Sequence, residues 1–171
     1  MIATNCQEQR ETEIVQKGIT ATNVLYLGCK VLHSDASQGT LHEIYDESIG
    51  KLGIFSSSKP QGTSVTLRVD GASVSVHECE KGVSSTGDLM QTHAINNVRN
   101  TVSAKVKNLF GGVINDNGRL VLHAYLTRCR TQVQDLDMIC VMAFKQSAKL
   151  ERLRRSAVTD TVSMPGVSTI A

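Results

Sequence analysis

The chain has 171 residues, of which 40% are hydrophobic and 20% are charged, and this composition suits one compact domain of ordinary size. The net charge of +2, together with three Tyr, three Phe and no Trp, argues against a nucleic-acid-binding protein, which needs a dominant basic face or a base-stacking surface. The five cysteines form no CxxC pair, and no stretch reads as a signal peptide or a membrane span, so we expect reduced thiols and a cytoplasmic location.

The first third of the chain is predicted to contain a tail, a strand and a helix. Residues 1–18 are polar and are expected to form a flexible N-terminal tail or a partly helical lead-in. Alternating apolar residues predict a strand over 19–32, and Gly28 in its middle indicates a bulge or a bend. The helix that follows is predicted to begin at a capping box formed by Thr40 and Glu43.

The middle of the chain is predicted to be an antiparallel meander. Residues 65–76 alternate around an Asp-Gly turn at 70–71, which is typical of a hairpin. Residues 90–106 carry apolar side chains at a spacing that would also fit a helix, but their β-branched residues favour one irregular strand with a bulge. A turn over 111–118 and a strand over 119–129 are expected next.

The last part of the chain is predicted to hold a central strand and a closing helix. The apolar run 135–144 favours a buried strand, and residues 146–158 show the apolar spacing of a helix. Residues 159–171 are expected to be a disordered C-terminal tail, so the folded domain would span 19–158. The order of elements predicts an α+β fold: a strongly bent antiparallel sheet, or partly open barrel, of about seven strands, with an inserted helix after strand 1 and a C-terminal capping helix.

The sequence offers no constellation of residues that would carry catalysis. Metal-protease, phosphate-loop and nucleophile-elbow motifs are all missing, so we expect no enzyme activity, no cofactor and no metal site. The segment "HECE" at 77–80 contains metal-ligating residue types. Because successive strand residues point to opposite faces, it is interpreted as a solvated strand end.

Several short segments, in their order along the chain, carry a resemblance to a known family. They run from about residue 20 to residue 158 and include "VLYLGCKVL", "VTLRVDGASVSVHE", "THAINNVRNTVSA", "LVLHAYLTR" and "MICVMAF". Together they resemble phosphotyrosine-binding (PTB) domains of the broad class of Shc, Numb and Disabled, which have a pleckstrin-homology-like fold. The resemblance implies that Gly28 is the hinge of a bend in a long first strand.

The resemblance also implies a function in peptide recognition. Family members bind an Asn-Pro-x-Tyr peptide as an extra strand on one sheet edge, beside the C-terminal helix. Carried over to this sequence, the peptide-binding strand would comprise Val98, Arg99, Asn100, Thr101, Val102 and Ser103. The helix wall of the groove would comprise Leu150, Leu153, Arg154, Ala157 and Val158.

Three departures from the family pattern favour binding without a phosphate. Phosphate-binding members have basic residues before the last strand, where this chain has Asp135 and Asp137, which would repel an anion. Arg99 stands where a serine is common, and no aromatic residue occurs near Thr161 and Val162 at the end of the helix. The expected partner is therefore an Asn-Pro-x-Tyr-like segment of a cytoplasmic receptor tail or signalling protein, bound independently of phosphorylation.

Two alternatives remain open at this point. One is a pleckstrin-homology-like module that binds anionic phospholipid and associates with a membrane. Its candidate basic residues are Lys51, Lys59, Lys105, Lys107, Arg152, Arg154 and Arg155. The other is a structural protein–protein interaction domain with a non-standard ligand.

Overall fold

A computed structural model describes residues 2–33, 37–50, 60–79 and 86–162. The helices are α1 (Ile2–Lys17), α2 (Ser37–Gly50) and α3 (Arg130–Val162), and two 3-10 helices cover Ile95–Asn97 and Lys105–Lys107. The strands are β1 (Ile19–Val31), β2 (Thr63–Val69), β3 (Ser73–Cys79), β4 (Thr86–Ala94), β5 (Val98–Ala104), β6 (Leu109–Asp116) and β7 (Arg119–Leu126). None of the helices in these ranges combines the length and the apolar character needed to cross a bilayer.

The seven strands form one antiparallel sheet in the order β4-β3-β2-β1-β7-β6-β5, which confirms the predicted fold class. The first part of β1 pairs with β2, and its last part pairs with β7. Strand β1 therefore joins a half made of β2, β3 and β4 to a half made of β5, β6 and β7. Within the described ranges no pairing links β4 to β5, so the sheet stays open and has two edges.

The bulge predicted at Gly28 is present. The register between β1 and β7 shifts between Tyr26 and Gly28, and Gly28 has a φ of 125°. Residues with a side chain rarely adopt this conformation, so glycine lets β1 turn from one half of the sheet to the other. A second shift, against β2, falls between Ala21 and Val24 and was not predicted.

The N-terminal segment is a helix, so of the two expectations for residues 1–18 the helical lead-in describes it and the flexible tail does not. Helix α1 packs onto the domain through Val15, which is fully buried, and the Val15 carbonyl accepts a hydrogen bond of 3.0 Å from the Gly71 amide. Two turns earlier in α1, Glu8 forms an ion pair of 3.3 Å with Lys149. The sequence hides this helix because most of its side chains are polar and only a few reach the core.

Helix α2 begins earlier than its predicted capping box. Its first residue is Ser37, so Thr40 lies inside the first turn rather than at the N-cap. Leu41 and Ile44 are buried against β6 and β7. Helix α2 approaches β6 closely at Gly111, since a Cβ atom on this glycine would lie 3.2 Å from Leu41 of α2 and 2.9 Å from Leu122 of β7.

Two corrections concern the strands between residues 90 and 118. The single irregular strand predicted over 90–106 is in fact two strands, β4 and β5, separated by a 3-10 helix that carries the chain from one sheet edge to the other. The turn predicted over 111–118 is mostly strand β6, and only Asn117 and Gly118 form the turn. Gly111 and Gly112 are typical of a turn, but β6 is a strand packed between two helices. Its alternate residues face α2 on one side and α3 on the other.

The strand predicted over 135–144 is also wrong, because these residues lie within helix α3. The fully buried side chains of this region recur at helical spacing: Val133, Leu136, Ile139, Cys140 and Ala143. A continuous apolar run hides that period, because exposed apolar residues stand between the buried ones. Helix α3 continues to Val162, beyond its predicted end at 158, and residues 163–171 of the predicted tail lie outside the described residues.

Candidate peptide-binding site

Strand β5 is an edge of the sheet. It pairs with β6 on one side, and in the described part of the chain no strand pairs with its other side. Backbone N–H and C=O groups on such an edge can accept an added strand. All six residues predicted for the peptide-binding strand, 98–103, lie in β5. Their role in binding a peptide stays a prediction.

The edge is irregular at its start and regular afterwards. The register with β6 shifts between Val98 and Asn100, so Arg99 is an extra residue in a bulge. Val98 is buried, whereas the side chains of Arg99 and Asn100 are exposed. From Asn100 to Ala104 the pairing proceeds residue by residue, and this segment is the part of the edge best suited to extend the sheet. Its Ser103 carbonyl already accepts a hydrogen bond of 3.2 Å from Gln38 Nε2 of α2.

Helix α3 lies along β5 and is held there by two side-chain hydrogen bonds. The Ser103 hydroxyl donates to Asp137 Oδ2 over 2.7 Å, and the Ser147 hydroxyl donates to Asn96 Oδ1. The two helix positions are ten residues apart, which corresponds to about 15 Å of helix. The helix and the strand therefore run side by side over nearly the whole length of β5.

The helix face that carries Asp137 supplies an apolar wall. Val141, Phe144 and Ala148 follow Asp137 at intervals that keep them on one helix face. Val141 is 47% exposed, and Phe144 is half-buried against the core. We define the β5–α3 groove by the outer edge of β5 and these four helix residues.

The predicted helix wall lies elsewhere. Ser147 is level with Asn96, and each further residue advances about 1.5 Å, so Val158 lies about 16 Å past that point. Leu150, Leu153 and Val158 are 57%, 59% and 63% exposed. The structure therefore does not bring the predicted set beside β5: Leu150, Leu153, Arg154, Ala157 and Val158. The error follows from the strand wrongly predicted over 135–144, because that strand delayed the predicted start of the helix.

The charges near the groove are mixed in sign. Asp135 and Asp137 do not precede a last strand as expected. They lie in the second turn of α3, where Asp137 faces the end of β5. Arg99 is exposed near the opposite end of the strand. A ligand along β5 would therefore meet a cation beside the start of the strand and a carboxylate beside its end.

Beneath β5 lies a small apolar cavity with the buried His123 and the half-buried His93 on its wall. His93 of β4 and His123 of β7 have ring centroids 5.1 Å apart, and Tyr26 Oη lies 3.0 Å from His123 Nδ1. Burial, and then the neighbouring His93, lowers the pKa of His123 to about 4. Burial also lowers the pKa of His93, whose Nε2 is buried without a hydrogen-bond partner in the described structure. Both rings are therefore neutral at neutral pH.

Sequence reasoning missed this histidine pair. The two residues are 30 positions apart, on strands that are not neighbours in the sheet, so no local spacing announces the contact. They meet because the sheet bends far enough to bring its two halves face to face. No group of three or more metal-ligating side chains occurs among the residues that the structure describes.

Comparison with known proteins identifies the fold. The sequence matches no family model and no curated protein. Among solved structures, the chain is similar to the C-terminal phosphotyrosine interaction domain of APBB2 from mouse, with a TM-score of 0.53 and 16% identity over 72% of this chain and 88% of that chain. This chain has the PTB fold.

The PTB fold predicted from the ordered motifs is thus confirmed, with one motif displaced. The segment "MICVMAF" was matched to a strand and lies in α3, whereas the strand before that helix is β7. An identity of 16% supports a shared fold and nothing finer, so the function is argued from the geometry of the β5–α3 groove.

Proposed function

We propose that this chain is a non-catalytic adaptor domain that binds an extended, Asn-Pro-x-Tyr-like peptide of another protein as an additional strand on β5. The observation that carries the proposal is the open edge of β5 with α3 beside it. Backbone bonds along Asn100–Ala104 would supply affinity, and the apolar side chains of α3 would supply contacts for alternate peptide residues. The partner is a segment of a cytoplasmic receptor tail or signalling protein.

The β5 edge suits this role better than the β4 edge. The pairing of β4 with β3 is irregular at two places, between Val76 and His77 and between His77 and Cys79. An added strand needs a regular edge, because its hydrogen bonds must follow in register. Only the β5 edge, in the described structure, has a helix alongside that offers side-chain contacts as well as backbone groups.

Binding without phosphate is supported by the position of Asp137. Its carboxylate lies at the end of β5, half-buried, and accepts a hydrogen bond from Ser103. A phosphate placed there would meet a like charge, whereas phosphate recognition requires Arg or Lys nearby. Arg99 is the one cationic residue of β5, and it stands in the bulge at the far end.

The test is an NMR titration of the isotope-labelled chain with a matched pair of Asn-Pro-x-Tyr and Asn-Pro-x-phosphoTyr peptides. We expect chemical-shift changes concentrated at 100–104 and around Val141, with the unphosphorylated peptide binding at least as tightly as the phosphorylated one. Val141→Asp should weaken binding at least about tenfold, because it buries a charge under the apolar part of the peptide.

The matched control is Leu89→Asp, which makes the same kind of change on the exposed β4 edge, where Leu89 is 56% exposed. This variant should bind the peptide as the unmodified chain does. Shifts along β4, or loss of binding in Leu89→Asp alone, would contradict the choice of edge. Failure of both peptides to bind a folded sample would refute the Asn-Pro-x-Tyr-like ligand. Tighter binding of the phosphorylated peptide would refute phosphate independence.

A further inference from the structure

Helix α2 carries one of the three tyrosines of the chain within an acidic stretch. Tyr45 follows Glu43 and Ile44 and precedes Asp46 and Glu47, so three of the four residues within two positions of it are acidic. Its side chain is half-buried beside the apolar cluster that joins α2 to β6 and β7. Protein kinases select substrates partly by the charge around the acceptor residue, so this stretch suits a tyrosine kinase that prefers acidic substrates.

The other two tyrosines are enclosed by the sheet. Tyr125 of β7 is 2% exposed. Tyr26 of β1 is half-buried, and its hydroxyl oxygen lies 3.0 Å from His123 Nδ1. Strands β1 and β7 each pair with a neighbour on both sides, so neither strand can leave the sheet without losing two sets of backbone hydrogen bonds. Tyr45 is therefore the tyrosine best placed to react with another protein.

Helix α2 is weakly supported by its own sequence. It has no acidic residue in its first turn and no basic residue in its last turn, so neither end complements the helix dipole. Gly39, near the start of the helix, lowers its stability further. A kinase takes its acceptor residue from an extended segment, and local opening of such an element supplies that segment at modest cost.

The face of α2 that carries Tyr45 lies against the turn between β5 and β6. Lys107 Nζ lies 5.1 Å from the centroid of the Tyr45 ring and donates a hydrogen bond of 3.5 Å to His42 Nδ1. One turn earlier, Gln38 Nε2 donates to the Ser103 carbonyl over 3.2 Å. Residues 38, 42 and 45 are three and four positions apart and share one helix face. This face therefore holds Tyr45 beside a cation of the turn.

The charge of Lys107 is not neutralised by a carboxylate in the described part of the chain, where none lies within 4.0 Å of its Nζ. Glu43 and Glu47 lie two positions before and after Tyr45, on the opposite side of α2. There both of them pair with Lys30 of β1. A negative group added to Tyr45 would thus meet the ammonium of Lys107 rather than these carboxylates.

We propose that Tyr45 is a phosphorylation site for a tyrosine kinase, reached by local opening of α2, and that the phosphate then binds Lys107 and fastens α2 to the β5–β6 turn. The kinase transfers the γ-phosphoryl group of ATP. An O–P bond forms at Tyr45 Oη, the bond from the γ-phosphorus to ADP breaks, and the hydroxyl proton passes to solvent. The phosphate brings nearly two negative charges and three acceptor oxygens, which suit a lysine. The proposal is independent of peptide binding in the β5–α3 groove.

The first test compares the folded chain with a free peptide of residues 37–50. A purified tyrosine kinase domain is chosen because it phosphorylates this peptide with ATP and Mg²⁺, and mass spectrometry then locates the phosphate on the full chain. We expect one phosphate, on Tyr45, and none in the folded variant Tyr45→Phe. Earlier phosphorylation of Tyr26 or Tyr125, or no reaction of the chain when the peptide reacts, would overturn the proposal.

A second variant tests access through the opening of α2. A Cβ atom at Gly39 meets no other atom within 4 Å, so Gly39→Ala should stabilise the helix and slow phosphorylation of the chain by about threefold. The same change in the free peptide is the control. It should leave the rate within about 1.5-fold, because an isolated helix of this length is marginal in water. Equal rates for the two chains would contradict access through local opening.

The third measurement follows the phosphate by phosphorus NMR. The second pKa of a free phosphotyrosine is about 6. In the phosphorylated chain this pKa should lie about one pH unit below that of phosphorylated Lys107→Gln, because a nearby ammonium favours the dianion. Lys105→Gln removes the other exposed lysine of the turn and should raise the pKa by less than about one-third as much. The same pKa in the unmodified chain and Lys107→Gln would show that the phosphate does not bind Lys107. Circular dichroism confirms that each variant is folded.

Discussion

The two edge strands of the sheet, β5 and β4, differ in the elements that pack beside them. At β5, helix α3 runs parallel to the edge and is tied to it at Ser103 and near Asn96. At β4, exposed Leu89 and Met90 have no helix alongside in the described structure, and the pairing with β3 is twice irregular. Open backbone groups are common to both edges. A binding site arises where a second element adds side-chain contacts to those groups.

The largest effect should come from loosening α3, which distinguishes the two edges. Leu136 is fully buried in the core beneath α3, and Leu136→Ala should lower the free energy of unfolding by about 3 kcal/mol through lost apolar contact and the cavity left behind. Urea denaturation measures the loss. Native-state hydrogen exchange should show β5 amides losing more protection than β4 amides.

The control for this variant lies on the same helix. Met138 is 43% exposed, so Met138→Ala should change the free energy of unfolding by less than about 0.5 kcal/mol. If Leu136→Ala destabilised no more than Met138→Ala, or if β4 lost protection first, α3 would not be the element that sets the two edges apart.

The two halves of the sheet also meet through His93 and His123, and this contact should depend on pH. The pKa of His123 is lowered to about 4 in the folded chain, against about 6.5 when unfolded. Between these values the unfolded chain binds a proton that the folded chain does not, so stability falls as the pH falls. From pH 7 to pH 5 the loss should be about 2 kcal/mol from His123, and the lowered pKa of His93 acts in the same direction.

Urea denaturation at both pH values, for the unmodified chain and for His123→Gln, isolates this contribution. The glutamine variant has no such titration, so its stability should fall by about 2 kcal/mol less over the same interval. His33→Gln is the control, because it removes an imidazole at an exposed position outside the contact between the two histidines. Equal pH dependence in all three proteins would show that His123 is not held neutral by the fold.

The sequence predicted the sheet, and the strand over residues 98–103, better than it predicted the start of α3. Alternation along β1, β2 and β7 is a local signal, and so is the glycine at the bulge, so these elements could be found without the structure. The edge position of β5 followed from the ordered resemblance to PTB domains. Its neighbour in the sheet, β6, was missed because "GGVINDNG" carries the residues of a turn although most of it is buried as strand.

The helix wall was missed for a physical reason that concerns α3. Met138 and Val141 are exposed although they are apolar, so the run 135–144 shows no clear boundary between a buried face and a solvent face. A helix that borders a groove keeps apolar residues on its open side, and this erases the amphipathic pattern used to recognise it.

The smallest predicted effect tests the hydrogen bond that joins the end of β5 to α3. In a double-mutant cycle of Ser103→Ala and Asp137→Ala, the coupling energy should be about 1 kcal/mol, because the bond is half-buried and its acceptor is charged. A cycle with Asp135→Ala in place of Asp137→Ala should show coupling near zero. A coupling below about 0.3 kcal/mol for the Ser103–Asp137 pair would mean that this bond does not fix the width of the groove. A coupling near the expected value would mean that this bond helps to hold β5 against α3, so that an added strand would have to keep the bond or displace it.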